Sequence, residues 1–332
     1  MAKFIYDMSR LIPGDIILAR FPNNELSNRI REVTQSDFSH AMLYVGGSSY
    51  IEADKRVQAR NLARLLFDKK EDTCVVRIKE KYLSEHTIDA AIYYARTVVG
   101  NPYAWYDVFR LKDGMTDRFT KETQICTRLV AKAYAYSGLN IVNNVEMCTP
   151  QQILKSKCVV ECKDLLRVAS DFDLRFAESY DVTDDMVRAT ETLFDSLKSY
   201  GDGKIRSMSA LKDYVISHPE DDEAITILLQ QSGYLNVLEI EEEKNQYNYD
   251  VTKFIKFYGT DHAYYAAICA LEENLGGKYR YEQQYKGLIL EFFSIGGKSH
   301  FLITMISLYK QIIEQHDKRI RVCYEVMNSP ES

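Results

Sequence analysis

Apolar residues in the first 165 or so positions fall into short alternating or β-branched runs broken by helical stretches. Beyond about Ala169 they recur almost everywhere at intervals of three and four. In the first region Gly14 to Leu18 reads as a strand opened by the Pro13-Gly14 turn, and Asn24 to Val33 as a short helix. His40 to Val45 and Ser49 to Ala53 read as two strands joined through Gly46-Gly47-Ser48, a hairpin signal. Thr73 to Ile78 is a β-branched strand, and Lys157 to Cys162 a last one. Ser84 to Val99 and Thr123 to Ser137 read as helices that stop at Gly100 and Gly138. Thr149-Pro150 opens a further short helix with proline at its first position. In the second region Asp184 to Tyr200, Ser207 to Ser217, Glu220 to Gln231, Val251 to Tyr258, Ala263 to Leu275, Gln283 to Phe293 and His300 to His316 carry helical spacing. The expected fold is α+β: a mixed domain over residues 1–168 and an all-helical domain over 169–332.

Composition narrows the class. At 332 residues and 46% hydrophobic content the chain can bury a core in each region. Its apolar stretches, Gly287 to Ile295 among them, fall well short of the roughly 20 residues a transmembrane helix needs. Asp7, Arg10 and Asp15 interrupt the N-terminus before a signal-peptide core accumulates, so a cytoplasmic address is expected. The formal charge of −6 and the lack of a long basic run argue against nucleic acid as a partner. Seven scattered cysteines are expected to be reduced, and the close pair Cys158 and Cys162 lacks the second pair a zinc site needs. Aligning Tyr200 to Ile205 on an EF-hand loop puts Lys198, Tyr200 and Ser209 at ligand positions, none a carboxylate. His218, His262, His300 and His316 have no ligand pattern around them, and neither a metal nor a cofactor is assigned.

The candidate chemistry starts at Cys126. The helix it opens carries the apolar stripe Ile125, Leu129, Ala133 and Tyr136, with Thr120 and Thr123 marking the start and the cysteine about one turn in. A sulfur in a first helical turn sits at the positive end of the macrodipole, which favours the nucleophilic thiolate. Unpaired N–H groups of that turn can also receive an oxyanion. A lone helical cysteine is usually core packing, so its neighbours decide. His40 opens one hairpin strand and Glu52 lies on the next. A three-residue loop at Gly46 to Ser48 sets His40 opposite Asp54 and puts Glu52 on the same sheet face, as a Cys–His–acid triad requires. A two-residue loop sets them on opposite faces, and spacing alone leaves both open.

Several segments, in order, resemble one family. Gly14-Asp15-Ile16-Ile17-Leu18, Ser36-Asp37-Phe38-Ser39-His40-Ala41 and Tyr50-Ile51-Glu52-Ala53 are followed by Val75-Val76-Arg77 and Gly100-Asn101-Pro102-Tyr103. Ile125-Cys126-Thr127-Arg128-Leu129-Val130 and Thr149-Pro150 complete the series. Together they resemble the YiiX/YaeF-like proteins, permuted relatives of the NlpC-type papain-like amidases, over about half the chain. The resemblance implies a permuted papain-like (NlpC-type) domain with Cys126 as nucleophile, His40 as base and then acid, and Glu52 as orienter. Ile125 stands where an aromatic residue is frequent and Thr127 where serine is, so contacts with substrate beside the nucleophile are expected to differ.

Tyr103 and Trp105 are candidate walls of the substrate cleft, with Thr127 beside the nucleophile. Asp15 and Arg20 are candidates for the cleft or for salt bridges at a strand edge. The expected activity is a thiol hydrolase, an amidase or peptidase, acting on a cell-wall-type peptide or an acyl amide, with ester, thioester and lipid bonds as alternatives. The competing reading is an interaction protein that keeps the papain-like core as scaffold, binds a protein partner through the helical half and, as an effector, is delivered by a non-classical route.

Overall fold

Six strands form one antiparallel sheet in the order β5-β4-β3-β2-β6-β7, in a computed structural model that describes residues 2–103 and 124–329. The strands are β2 (Ile16–Ala19), β3 (His40–Gly46), β4 (Ser49–Ala53), β5 (Val57–Asn61), β6 (Thr73–Ile78) and β7 (Val159–Cys162). A two-stranded sheet pairs β1 (Phe4–Tyr6) with β8 (Leu166–Val168). Helices α1 (Glu25–Thr34), α2 (Thr87–Thr97), α3 (Cys126–Tyr136), α4 (Pro150–Leu154) and α5 (Asp171–Glu178) complete a unit spanning Met1–Ser179. Alternation along the strands divides its interior. Ile16, Leu18, Leu43, Ile51 and Val76 pack with Ala91 of α2 and with Leu129, Ala133 and Tyr134 of α3. Ile17, Met42, Tyr44, Tyr50 and Val75 pack with Tyr6, Leu62 and Phe67.

The β3–β4 hairpin resolves the question of register. Its turn is Gly47-Ser48, both at positive φ (56° and 52°), and Gly46 pairs with Ser49. This is the two-residue loop, and such turns match strand twist because both central residues are left-handed. A β-bulge between Tyr44 and Gly46 then adds one residue, so Tyr44 pairs with Tyr50 and Leu43 with Ile51. The result is the register of the longer loop, with Glu52 on the face of His40. Without the bulge, Ile51 would turn off its buried face, a loss of roughly 1.5–3 kcal/mol for that side chain alone.

The second unit, Tyr180–Ser332, is helical throughout its described residues. Its helices are α6 (Val182–Ser196), α7 (Met208–Ser217), α8 (Asp222–Gln231), α9 (Val237–Lys244), α10 (Val251–Tyr258), α11 (Thr260–Ser294) and α12 (His300–Met327), linked by 3-10 turns. Leu193, Leu211, Ile225, Leu229, Phe301 and Leu302 are fully buried in its main core. The α12 N-terminus is held by a carboxylate: Asp222 accepts from the backbone N–H groups of His300 (2.5 Å) and Phe301 (3.0 Å), complementing the helix dipole.

One expectation needs correction. Ala263 to Leu275 and Gln283 to Phe293 are parts of a single 35-residue helix that runs through Gly276-Gly277. Gly277 is there for proximity rather than for a break. A Cβ on Gly277 would lie 2.5 Å from Cε1 of His316, so the missing side chain admits that ring from α12. Among the described residues no helix is long and apolar enough to cross a membrane.

Candidate active site

His40 is the first residue of β3, paired with Ala19 of β2. Ser39 before it is pinned by its N–H donating to the Ala19 carbonyl (2.9 Å) and by a 2.6 Å hydroxyl contact with buried Ser27 of α1. The His40 ring lies 6.4 Å from Phe21, centroid to centroid. Its Nε2 donates to Oε2 of Glu52 at 2.8 Å. The other oxygen, Oε1, accepts from Gln58 Nε2 (3.1 Å) and faces Arg60 Nε at 3.1 Å, both from β5. Glu52 and Gln58 are direct cross-strand partners, so β5 fixes the carboxylate that fixes the imidazole.

Cys126 approaches from the other side. It is the first residue of α3 rather than one turn in; Ile125 before it is extended (φ −115°, ψ 158°) and offers no side-chain cap. Thr120 and Thr123, the expected start signals, lie outside the described residues. Leu129 donates the first intrahelical bond, to the Ile125 carbonyl at 2.9 Å, so the N–H groups of Cys126 and Thr127 precede the ladder. An isoleucine at this position forgoes about 1 kcal/mol that a serine or aspartate cap would supply. It leaves donors beside the sulfur with no capping side chain in front of them. The Cys126 Sγ lies 4.0 Å from the Ser39 carbonyl and close enough to His40 to contribute to raising the imidazole pKa. Because Nε2 of His40 is taken by Glu52, the nitrogen left for the sulfur is Nδ1.

The electrostatics follow from this packing. Burial opposes a charged His40, yet negative charge and a hydrogen bond at Cys126, with the hydrogen bond and charge of Glu52, raise its pKa well above the ordinary value. Burial likewise opposes a charged Glu52, and the His40 hydrogen bond and charge, then Arg60 and Gln58, overcome it and lower the carboxyl pKa. A protonated imidazole between a carboxylate and a sulfur is placed to give up a proton within the site.

The structure brings Tyr103 into this group and leaves others outside it. Tyr103 forms an isolated bridge to Gln124 and packs on Ile125. Its phenol is raised well above its usual pKa by burial and by nearby Cys126, which keeps the hydroxyl a donor. The Thr127 hydroxyl donates to the Cys148 carbonyl at 2.7 Å, so only its backbone faces the sulfur's end of the helix. Asp15 and Arg20 are both in salt bridges: Asp15, fully buried, accepts from Arg77 Nε (2.7 Å) and Nη2 (2.8 Å), and Arg20 Nε donates to Asp72 at 3.0 Å. Asp15 also lies four residues from Ala19, about 13 Å along β2 from the His40 end. Trp105 lies outside the described residues. Gln58 and Arg60 escaped the sequence reading because the alternation of Val57 and Ala59 with Gln58 and Arg60 holds only two apolar residues before Asn61 ends it.

Comparison with known proteins places this arrangement. Residues 10–172 match the model of a family described as permuted papain-like amidase enzyme, YaeF/YiiX, C92 family. No curated protein matches the chain. Among solved structures the chain is similar to one titled metalloprotein yiiX from Escherichia coli O157:H7, at 19% identity, over 45% of this chain and 95% of that one, with a TM-score of 0.35.

Proposed function

Because the N-terminal half of the chain belongs to the permuted papain-like amidase family, we propose that it is a cysteine amidase working through an acyl-enzyme on Cys126. The observation that carries the reading is the convergence on one imidazole of a helix N-terminal sulfur and a buried, triply held carboxylate. Neither partner is near the other in sequence, and a core cysteine needs neither.

In this mechanism the Cys126 sulfur attacks the carbonyl carbon of the amide. The oxygen that becomes negative is received by the N–H groups of Cys126 and Thr127, a task worth about 3–4 kcal/mol per donor in comparable sites. His40 delivers its Nδ1 proton to the departing amine, and the C–N bond breaks. The neutral ring then takes a proton from water, the hydroxide attacks the thioester, and the carboxylate product leaves as the thiolate–imidazolium pair re-forms. Glu52 holds the ring in plane throughout, and Tyr103 forms a wall beside the acyl group. The proposed substrate is a peptide or acyl amide; thioesters and esters pass through the same intermediate with an easier leaving group.

The test is mass spectrometry after exposure to a thiol-directed acyl probe. The native chain is expected to gain the acyl mass on the peptide that carries Cys126, and Cys126→Ala to gain none while its circular dichroism stays unchanged. Equal labelling of the two proteins rules out this nucleophile.

A further inference from the structure

Helix α11 buries one face and exposes another that does not look like a solvent face. Ala263, Ala267, Asn274, Gly277 and Leu288 are its buried positions, and α12 packs along it. At 100° per residue these five fall within a sector of about 80°. Centred about 160° around the helix from them lies a second stripe: Tyr265 (65% exposed), half-buried Ile268, Leu275 (46%), Tyr279 (64%), Leu290 (73%) and Phe293 (70%). The outward side of an amphipathic helix is normally charged, and a helix apolar on both sides normally has a partner on each.

The order of residues along the stripe says which partner fits. Reversed about Tyr279, the stripe largely matches itself: Tyr265 falls opposite Phe293, Ile268 opposite Leu290, Glu272 opposite Lys286, and Tyr279 opposite its own copy, while Leu275 meets the exposed Gln283. Glu272 and Lys286 are both exposed and both lie on this stripe. An antiparallel two-fold pairing therefore places each glutamate against a lysine, twice, and aromatic rings at both ends. Such a pairing is isologous and closes at two copies. We propose that α11 is a self-association helix, and that two copies of this chain pair antiparallel along it with Tyr279 on the two-fold axis.

From Tyr265 to Phe293 the stripe is about 42 Å long and about 10 Å wide, some 400 Å² of projected surface per copy. At about 800 Å² for the pair that lies below the roughly 1,200 Å² at which stable specific interfaces begin, so the dimer is expected to be weak and transient, with a dissociation constant on the order of 10 μM.

Sedimentation equilibrium on the full chain, from about 1 μM to about 500 μM, spans that affinity class. The chain is expected to pass from monomer to dimer across the range. Glu272→Lys and Lys286→Glu, each creating two like-charge contacts, are expected to weaken association about tenfold or more, and the double variant to recover to within about threefold. Both positions are exposed, so circular dichroism and melting temperature should not move. A chain monomeric at every concentration overturns the proposal. Single reversals without effect, or a double variant that fails to recover, overturn the antiparallel match.

Discussion

The molecule holds two largely enclosed histidines that burial treats alike and their neighbours treat oppositely. His40 sits between the Glu52 carboxylate and the Cys126 sulfur, and its pKa is raised in spite of burial. His316, on α12, accepts no such charge: its Nδ1 meets the neutral Asn274 side chain at 2.9 Å, and it lies in the groove that Gly277 leaves open. Burial, then the nearby Arg319 and Arg280 cations, push it down to about 4; Asp317 opposes this and Lys278 adds to it. Burial alone thus says little about what a histidine does. The sign of the charge packed against it decides whether a buried ring is held charged or neutral.

Removing each ring tests the contrast most severely. On the proposed mechanism His40→Ala is expected to lower amide hydrolysis by about 10²–10⁴-fold and to lower the melting temperature most at acid pH, where the protonated ring contributes stability. His316→Ala should leave the turnover number untouched and lower the melting temperature alone. Comparable losses of turnover in both variants would collapse the distinction.

Charge removal without loss of shape is a finer probe. Glu52→Gln keeps the size of the side chain but takes away the charge that holds the proton on His40. Hydrolysis is expected to fall about 100-fold, and the His40 midpoint, followed by NMR of the ring, to move down. The pH dependence of stability carries the same signature with opposite signs. For His40, whose pKa is raised on folding, the contribution is present below about 6.5 and lost as pH rises through the folded value. For His316 it is present above about 6.5 and lost progressively as pH falls from there through about 4. Glu52→Gln should shrink the alkaline dependence, Cys126 still holding part of it, and leave the His316 part of the acid one in place. An unmoved His40 midpoint would show that Glu52 is not the partner that matters.

The close packing of α11 on His316 is checked by Gly277→Ala, whose added methyl meets the ring at 2.5 Å. A loss of about 1–3 kcal/mol in denaturant unfolding is expected, since the neighbour is a ring on a packed helix. His316→Ala in the same chain should return most of the loss incurred by the alanine at 277. Additive losses would mean the two positions do not meet.

What could be read from the sequence follows the strength of local signals. β3, β4 and β6 were legible because apolar and β-branched residues dominate them, and α1, α4 and α7 because Asn24, Thr149 and Ser207 are true N-caps. Cys126, His40 and Glu52 could be singled out in the sequence as candidates, but not the register that brings His40 and Glu52 to one sheet face. Whether Glu52 faces His40 depends on a bulge at Val45 that no side chain announces, and a two-residue turn alone argued against it. The break imagined at Gly276-Gly277 arose because a glycine chosen for close approach looks the same in sequence as one chosen to end a helix. β5 was missed because its hydrophobic period is only two residues long, Val57 and Ala59, too short to identify a strand.

That missed strand supplies the smallest and most exacting prediction. Arg60 and Gln58 hold Oε1 of Glu52 while Oε2 holds His40. Arg60 is partly open to solvent, 25% at its side chain, so screening limits what its charge contributes. Arg60→Gln should therefore lower hydrolysis only about two- to fivefold, consistent with less than about 1 kcal/mol. If Arg60 acts through Glu52, the loss disappears when Arg60→Gln is made in Glu52→Gln, because the carboxylate it steadies is already gone. A loss that persists in the double variant would place the arginine on the substrate instead, and would move β5 from the support of the site to its lining.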